Sequence, residues 1–428
     1  MTYKKSLDYL ASLEPRGWRL GLDRMQAFID RLGLTHSINE PRKFIHIAGT
    51  NGKGSTATFT QNLILLSDKT CGTFLSPFVF SPRERIQFGG NLISEADFAR
   101  IATQIKPVAE SMDQTDFGGV TEFEYKTAMG FLYWEDKHCE YVSLETGLGG
   151  RLDATNVVNS AVSIIVSIGL DHQSILGHTE SEIATEKAGI IKAGKPVLVG
   201  NLSDLAWKSI AKVACEKHSP LFRFGKEIRL DDNGSLTTPW KVFDNFPVPA
   251  QTGKWQRQNL AIAVSALLSS GLDISSRVVE EAARTTQIPG RFQRLKFKDK
   301  NYILDGAHNG DSAWALKETL IAEFGTNARF VFISNMVKGH NSEPFYAELE
   351  EIIDTVIICP IQYHRAVPTS EMSELLNKEA IQNLEAVSVQ NAIEITSRFC
   401  RDTNLPIIVS GSFYLVGEVG NYLNQIEI

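Results

Sequence analysis

Lys53 lies in the run Ala48–Thr56, AGTNGKGST, where glycines, a lysine and hydroxyl residues interleave. The apolar run Phe44-Ile45-His46-Ile47 precedes it, and a helix-like stretch from Ala57 to Leu66 follows. A strand entering such a turn and leaving it as a helix cradles phosphate. Backbone N–H groups converge there, the helix N-terminus adds partial positive charge, and Lys53 adds a full one. Handling of a nucleoside triphosphate is the chemistry expected. The segment departs from GxxxxGK[ST], because Ile47 and Gly54 stand where that pattern needs a glycine and a hydroxyl, and the hydroxyl comes at Ser55. A surface turn with a solvated lysine is the plainer alternative, but a turn needs only one or two glycines.

A carboxylate follows in Leu144–Asn156, LETGLGGRLDATN. Tyr141-Val142-Ser143 reads as a buried strand, which puts Glu145 at its carboxyl end, a natural place for a Mg²⁺ ligand across from a phosphate loop. Gly147, Gly149 and Gly150 are expected to let the backbone approach a ligand, and Arg151 and Asp153 to orient a polar substrate. A solvated Glu145 beside a tight turn is the alternative.

Asp171 and His172 end the next strand-like run, and a neutral imidazole there suits a metal or a base, or a structural hydrogen bond. Thr179-Glu180-Ser181-Glu182 starts a helix with acidic residues in its first turn. That helix carries Lys187 beside Ala188, Gly189, Ile190 and Ile191. Apolar surroundings depress a lysine pKa, and the neutral amine reacts with CO₂ to a carbamate that offers a carboxylate to a metal. From residue types alone a snorkelling, paired lysine is the default reading. Further on, Asp305-Gly306-Ala307-His308-Asn309 follows the strand Tyr302–Leu304, and Arg291 lies in the break Ile288-Pro289-Gly290-Arg291. An arginine at a hinge brings charge to a γ-phosphate on closure, or pins the linker through an ion pair.

The elements needed to hold these residues alternate along the chain. Strand-like runs at Phe44–Ile47, Gly72–Leu75, Tyr141–Leu144, Ala161–Ile168 and Pro196–Val199 alternate with helical patterns, which argues for parallel sheet covered by helices. Helical patterns run from Asn259 to Leu268 and over Ser275–Thr285, and a second strand–helix series begins at Tyr302–Leu304. Phe330–Ile333, Val356–Ile358 and Ile407–Val409 continue that series. The predicted class is α/β with two domains. Residues 1–290 form a P-loop ATPase-like parallel-sheet domain, and residues 291–428 a Rossmann-like α/β domain.

At 428 residues with a net charge of -7, the chain has length for two cores and no basic excess for nucleic acid or an acidic membrane surface. Cys71, Cys139, Cys215, Cys359 and Cys400 form no CxxC pair and read as buried free thiols of a reducing cytoplasm. No apolar run approaches a membrane span, and the N-terminus does not read as a signal peptide.

Taken in order, these segments resemble the Mur ligase superfamily, in particular folylpolyglutamate synthase and bifunctional dihydrofolate synthase. AGTNGKGST, LSPF with RERIQFGG, TEFEYKT, ETGLGGRLDATN, LDHQSILG, EKAGIIK, IPGRFQ, DGAHN and GSFYLVGEV carry the likeness across nearly the whole chain. The resemblance implies that Thr50, Asn51, Gly52, Lys53, Gly54 and Ser55 cradle ATP, with Asn259, Arg291 and Asp305 also contacting it. It implies Ser76, Glu145, His172 and carbamylated Lys187 as Mg²⁺ ligands over two sites, and His308 as a further catalytic residue. Leu20, Gly21, Thr121, Phe123, Leu152, Asp153 and Ala154 match segments around a pterin, where Phe123 offers an aromatic face. The implied reaction phosphorylates the carboxylate of dihydropteroate or a reduced folate with ATP, and L-glutamate then displaces phosphate to form an amide. A cytoplasmic monomer acting on small molecules, without nucleic acid or membrane, is expected. Phe78 replaces a histidine frequent after Ser-Pro in the family, and Asn335–Asn341, NMVKGHN, lacks its Asp-Lys-Asp pattern around Lys338.

Three rivals are weaker. Cell-wall Mur ligases carry an added N-terminal domain, and about 48 residues before the loop leave no room for one. A switch or motor NTPase leaves Glu145, His172 and Lys187 unexplained, and a degenerate binding module does not need them.

Overall fold

In the computed structural model of the protein, residues 1–17, 19–39, 42–231, 233–399 and 405–424 are described. They form two compact units. The first comprises Met1–Pro77, Arg83–Ala250 and Arg257–Thr286; the second takes Gln287 onward together with Phe78–Pro82 and Gln251–Gln256. The segment Phe78–Pro82 joins the second unit because Val79 is buried in its core with Leu304 and Val416, and Asn421 Nδ2 donates to the Phe80 carbonyl at 3.2 Å.

The first unit is built on strands β1 (Lys43–Ala48), β2 (Cys71–Phe74), β3 (Ile86–Phe88), β4 (Asn91–Leu92), β5 (Tyr141–Glu145), β6 (Val162–Ile165), β7 (Val197–Val199) and β8 (Leu221–Arg223). Their order is β4-β3-β2-β5-β1-β6-β7-β8. The centre is parallel, as the alternation predicts, and β2 to β4 form an antiparallel edge that the pattern does not reveal. β1, β2, β5 and β6 all end on the same side of the sheet, so the loops that follow them cluster there. β6 stops at Ile165, short of the predicted Ile168, because the chain beyond it bonds to the phosphate loop. Strands β9 (Arg229–Leu230), β10 (Leu236–Thr237) and β11 (Val242–Phe243) make a small antiparallel sheet, also unforeseen.

Helix Glu180–Ala188 begins in a capping box between Thr179 and Glu182 and buries Ala184 and Ala188 with Ala48, Ile165 and Val197. That packing lays Lys187 beside the end of β1. Helix Glu122–Asp136 begins in a second capping box, between Thr121 and Glu124, and its Trp134 donates from Nε1 to the Gln87 carbonyl at 2.9 Å.

The second unit is a mixed sheet of β12 (Gln293–Phe297), β13 (Lys300–Leu304), β14 (Phe330–Ser334), β15 (Ile353–Ile358), β16 (Asn383–Glu385) and β17 (Ile407–Ser410). Its order is β12-β13-β17-β14-β15-β16, with only β12 antiparallel among the described strands. Cys71, Cys139 and Cys359 are buried free thiols, and Cys400 lies outside the described residues. Cys215 is a correction: it is exposed, one position off the Ala206, Ile210, Ala214 stripe that its helix buries.

Candidate active site

The phosphate loop is stitched to the chain after β6. Thr50 N–H donates to the Ser167 carbonyl at 2.9 Å, and Asn51 N–H to Ser167 Oγ at 2.8 Å. Ser167 Oγ donates back to the Asn51 carbonyl at 2.9 Å, and Gly169 N–H donates to Thr50 Oγ1 at 2.9 Å. The loop is thus fixed before any ligand arrives, which is the preorganisation that an anion site needs. Helix Lys53–Leu66 starts within the predicted loop, so Lys53, Gly54 and Ser55 form its first turn. A methyl on Gly52 would stand 3.2 Å from Asn259 Oδ1, which places the predicted nucleotide contact Asn259 against the loop.

Glu145 closes the other side. It is the last residue of β5, in register with Ile47 of β1, and it is buried rather than solvated. Its Oε2 accepts the Ser76 N–H at 2.9 Å and lies 3.5 Å from where a methyl on Gly54 would stand. Two predicted metal ligands, Ser76 and Glu145, are therefore bonded to each other beside the first turn of the phosphate-loop helix. Hydroxyl and carboxylate oxygens are hard donors that suit Mg²⁺.

Lys187 is buried, and its Nζ donates to the Gly49 carbonyl at 3.1 Å. Burial first, then the Lys53 charge, pull its pKa down to about 7, against the opposing pull of Asp171 and Asp153. A reactive neutral amine at physiological pH follows from that position. His172 sits in the left-handed region, φ 51°, with its N–H donated to Asp171 Oδ1 at 2.8 Å, so a buried carboxylate sets the backbone that carries the imidazole.

The glycine-rich turn after Glu145 packs closely against the protein itself. A methyl on Gly147 would meet Phe123 Cζ at 2.4 Å, and one on Gly150 would meet the Lys187 carbonyl at 2.9 Å. At these two positions a glycine is required by the protein's own side chain and helix end. Arg151 is likewise taken up, by an ion pair with Glu186 at 2.7 Å.

Asp153 is turned inward as well. Its Oδ2 accepts Leu148 N–H at 2.8 Å, and its Oδ1 accepts Thr155 N–H at 3.0 Å and the Thr155 hydroxyl. Desolvation raises its pKa. It caps the short helix Ala154–Val157 and orders the turn that presents Leu152 and Ala154.

The remaining predicted pterin residues are tied by a buried ion pair. Arg24 Nε donates to Glu124 Oε2 at 2.9 Å, and its Nη2 donates to the Arg19 carbonyl at 2.9 Å. Glu124 Oε2 also accepts Thr121 N–H at 2.7 Å. The pair so links the Leu20–Gly21 loop to Thr121. Leu20 is an exposed apolar side chain, 52% accessible. Phe123 is not a bare platform: Arg85 stands 5.6 Å over its ring and Phe74 meets it edge-on at 5.9 Å.

Comparison with known proteins places this geometry. The dihydrofolate synthase/folylpolyglutamate synthase of Bacillus subtilis is 34% identical over 420 residues, covering 94% of this chain and 95% of that one. The chain belongs to that family, within the Mur ligase superfamily. The family model "Dihydrofolate synthetase, C-terminal domain" matches residues 289–424. The solved structure of Escherichia coli FolC in complex with DHPP and ADP matches with TM-score 0.87 at 28% identity, over 99% of this chain and 98% of that one. The bifunctional synthase of Yersinia pestis with Mn, AMPPNP and L-glutamate bound matches with TM-score 0.84 at 29% identity, over 99% and 98%. Like its relatives in the dihydrofolate synthase/folylpolyglutamate synthase family, the chain is an ATP-dependent ligase.

In the second unit of this synthase, Asp305 holds the break before β12. Its Oδ2 accepts Phe292 N–H and its Oδ1 accepts Ala307 N–H, both at 2.9 Å. Phe292 is a buried aromatic at φ 41°, a conformation that such a residue keeps only when its surroundings enforce it. Desolvation raises the Asp305 pKa while Arg291 lowers it. Arg291 itself stands 4.6 Å over the Phe413 ring. His308 Nδ1 is 2.7 Å from the Gly306 carbonyl, which orients the ring.

Sequence reasoning passed over Ser167, Arg24 and Glu124, because their partners lie far along the chain. It also missed Arg85, although RERIQFGG contains it. One signal was present: a capping-box pattern, Thr121 to Glu124, marked Glu124 as inward-facing.

Proposed function

We propose that this synthase joins L-glutamate to dihydropteroate, to the γ-carboxylate of a reduced folate, or to both, in the cytoplasm and as a monomer. The observation that carries the reading is the phosphate loop with Glu145 and Ser76 at its helix and Lys187 on the Gly49 carbonyl. Such a site serves transfer of a phosphoryl group to a carboxylate.

In the first step an acceptor carboxylate oxygen bonds to the γ-phosphorus of ATP, and ADP leaves. In the second, the neutral glutamate amine attacks the acyl carbon, phosphate leaves with the bonding pair and takes up the proton that the nitrogen gives up, and the amide forms. Lys53 and the loop N–H groups hold the phosphates, and Asn259 borders the nucleotide. Arg291, Asp305 and His308 are assigned to the nucleotide and phosphates by motif, with Asp305 acting through the Arg291–Phe292 backbone. Ser76, Glu145, His172 and carbamylated Lys187 would hold Mg²⁺ at two sites, where the ion would neutralise phosphate charge. Leu20, Gly21, Thr121, Phe123, Leu152 and Ala154 border the pterin end, with Asp153 ordering the turn. The acyl phosphate requires exclusion of water.

The relative from Bacillus subtilis is named for both activities, and the matching family model for dihydrofolate synthetase. ATP-dependent phosphate release measured with glutamate plus dihydropteroate, and separately plus tetrahydrofolate, tests the reading and separates the two activities. Turnover with neither acceptor overturns it.

A further inference from the structure

Arg85 is a buried cation whose charge the fold leaves uncompensated. Only 7% of it is exposed, and among the described residues no carboxylate forms an ion pair with it. Its Nη1 donates to Ser76 Oγ at 2.9 Å, and its buried Nε has no hydrogen-bond partner. The neighbouring cation, Lys126, is already paired with Glu122. The guanidinium lies over two rings, 5.7 Å from the Phe74 centroid and 5.6 Å from that of Phe123. Cation–π contact offsets part of the desolvation but satisfies no N–H. Burying an arginine this way is costly unless an anion completes it.

The position narrows which anion. Leu75 N–H donates to the Arg85 carbonyl at 3.2 Å, so Arg85 is held alongside the Ser76 loop, and Ser76 N–H in turn reaches Glu145. One end of Arg85 therefore touches Ser76, a residue assigned to the metal, and its guanidinium lies over Phe74 and over Phe123, the ring assigned to the acceptor. Lys53 and the loop N–H groups already serve the ATP phosphates. A flat aromatic acid reaching from the rings toward Ser76 brings its carboxylate to the fork of the guanidinium.

Resting on the folate reading above, we propose that Arg85 binds the acceptor carboxylate, the group that becomes phosphorylated and then amidated. Arginine's planar donors match a carboxylate's two oxygens and orient one of them for attack. Arg85 is thereby a specificity residue for acids over their neutral analogues.

Calorimetric binding of dihydropteroate and of its carboxamide to the full-length protein tests this, with ADP as a control ligand. The unmodified protein is expected to prefer the acid by roughly 10- to 100-fold, the range for a charged hydrogen bond. Arg85→Gln is expected to bring the two within about 3-fold while ADP affinity stays unchanged. An undiminished acid preference in Arg85→Gln overturns the proposal. Should that variant fail to melt cooperatively, Arg85→Lys decides, because its stem still covers both rings. A reduced acid preference there supports the proposal, and a full one overturns it. Failure of the unmodified protein to bind dihydropteroate at all would instead overturn the folate reading itself.

Discussion

Lys187 and Lys53 donate to the same carbonyl oxygen, that of Gly49, at 3.1 and 2.9 Å. Two ammonium groups sharing one acceptor in a buried setting repel each other, and the fully buried one yields its proton more readily. Conversion of Lys187 to a carbamate would turn this repulsion into attraction to Lys53 and to a metal.

Lys187→Ala is therefore expected to lose most ligase activity and to regain part of it when short carboxylates are added. Steady-state phosphate release checks this. Activity equal to that of the unmodified protein would mean that the carbamate reading is wrong.

A pH dependence follows from the same group. Its folded-state pKa is about 7 against an ordinary 10.5, so between those values the unfolded chain binds more protons and stability rises with pH. In CO₂-free buffer, the gain in urea midpoint from pH 7 to 9 should shrink in Lys187→Met. With ¹³C-bicarbonate, the carbamate carbon signal should grow from pH 6 to 8, as the neutral amine rises from about a tenth to about nine-tenths. A signal flat with pH would count against the assignment.

His46, Thr155 and Asp153 form a buried chain from β1 to the substrate-side turn. His46 Nε2 is 2.8 Å from Thr155 Oγ1, and the Thr155 hydroxyl donates to Asp153. Burial holds the His46 pKa well below its ordinary value, so the ring is neutral and donates from Nε2. Thr155→Val should cost about 1–3 kcal/mol in urea unfolding, because it leaves the buried His46 Nε2–H without an acceptor and takes one of its hydrogen bonds from Asp153, while Thr155→Ser should restore most of it.

The Arg24–Glu124 pair should show a different signature. Arg24→Ala leaves a buried carboxylate uncompensated and should destabilise the fold by about 3 kcal/mol. It should also raise KM for the pterin acceptor more than KM for ATP, since it loosens the Leu20–Gly21 loop from Thr121. Equal effects on both KM values would place its role in folding alone.

The parts legible in the sequence were those written in local pattern. Alternating apolar runs placed the parallel strands, and the ends of those strands placed Glu145 and Asp305 and the loop that carries Lys53, whereas His172 stands beyond the end of β6, just before the helix Gln173–Leu176. The apolar neighbours of Lys187 forecast its lowered pKa. What local pattern cannot carry is pairing at long range. Arg24 meets Glu124, Asn51 meets Ser167, and Arg85 meets Phe123 only once the chain has folded. The glycines at 147 and 150 show the same limit from the other side, since ligand approach and close self-packing ask for the same residue. The edge strands β3 and β4 escaped because segments of three and two residues are too short to show a period.

The central claim is that the phosphoryl group passes to the acceptor carboxylate. Turnover with acceptor labelled by ¹⁸O in that carboxylate, followed by mass analysis of the released phosphate, tests it most directly. One ¹⁸O atom should appear in each phosphate formed. Phosphate free of ¹⁸O, released in step with amide formation, would contradict the account.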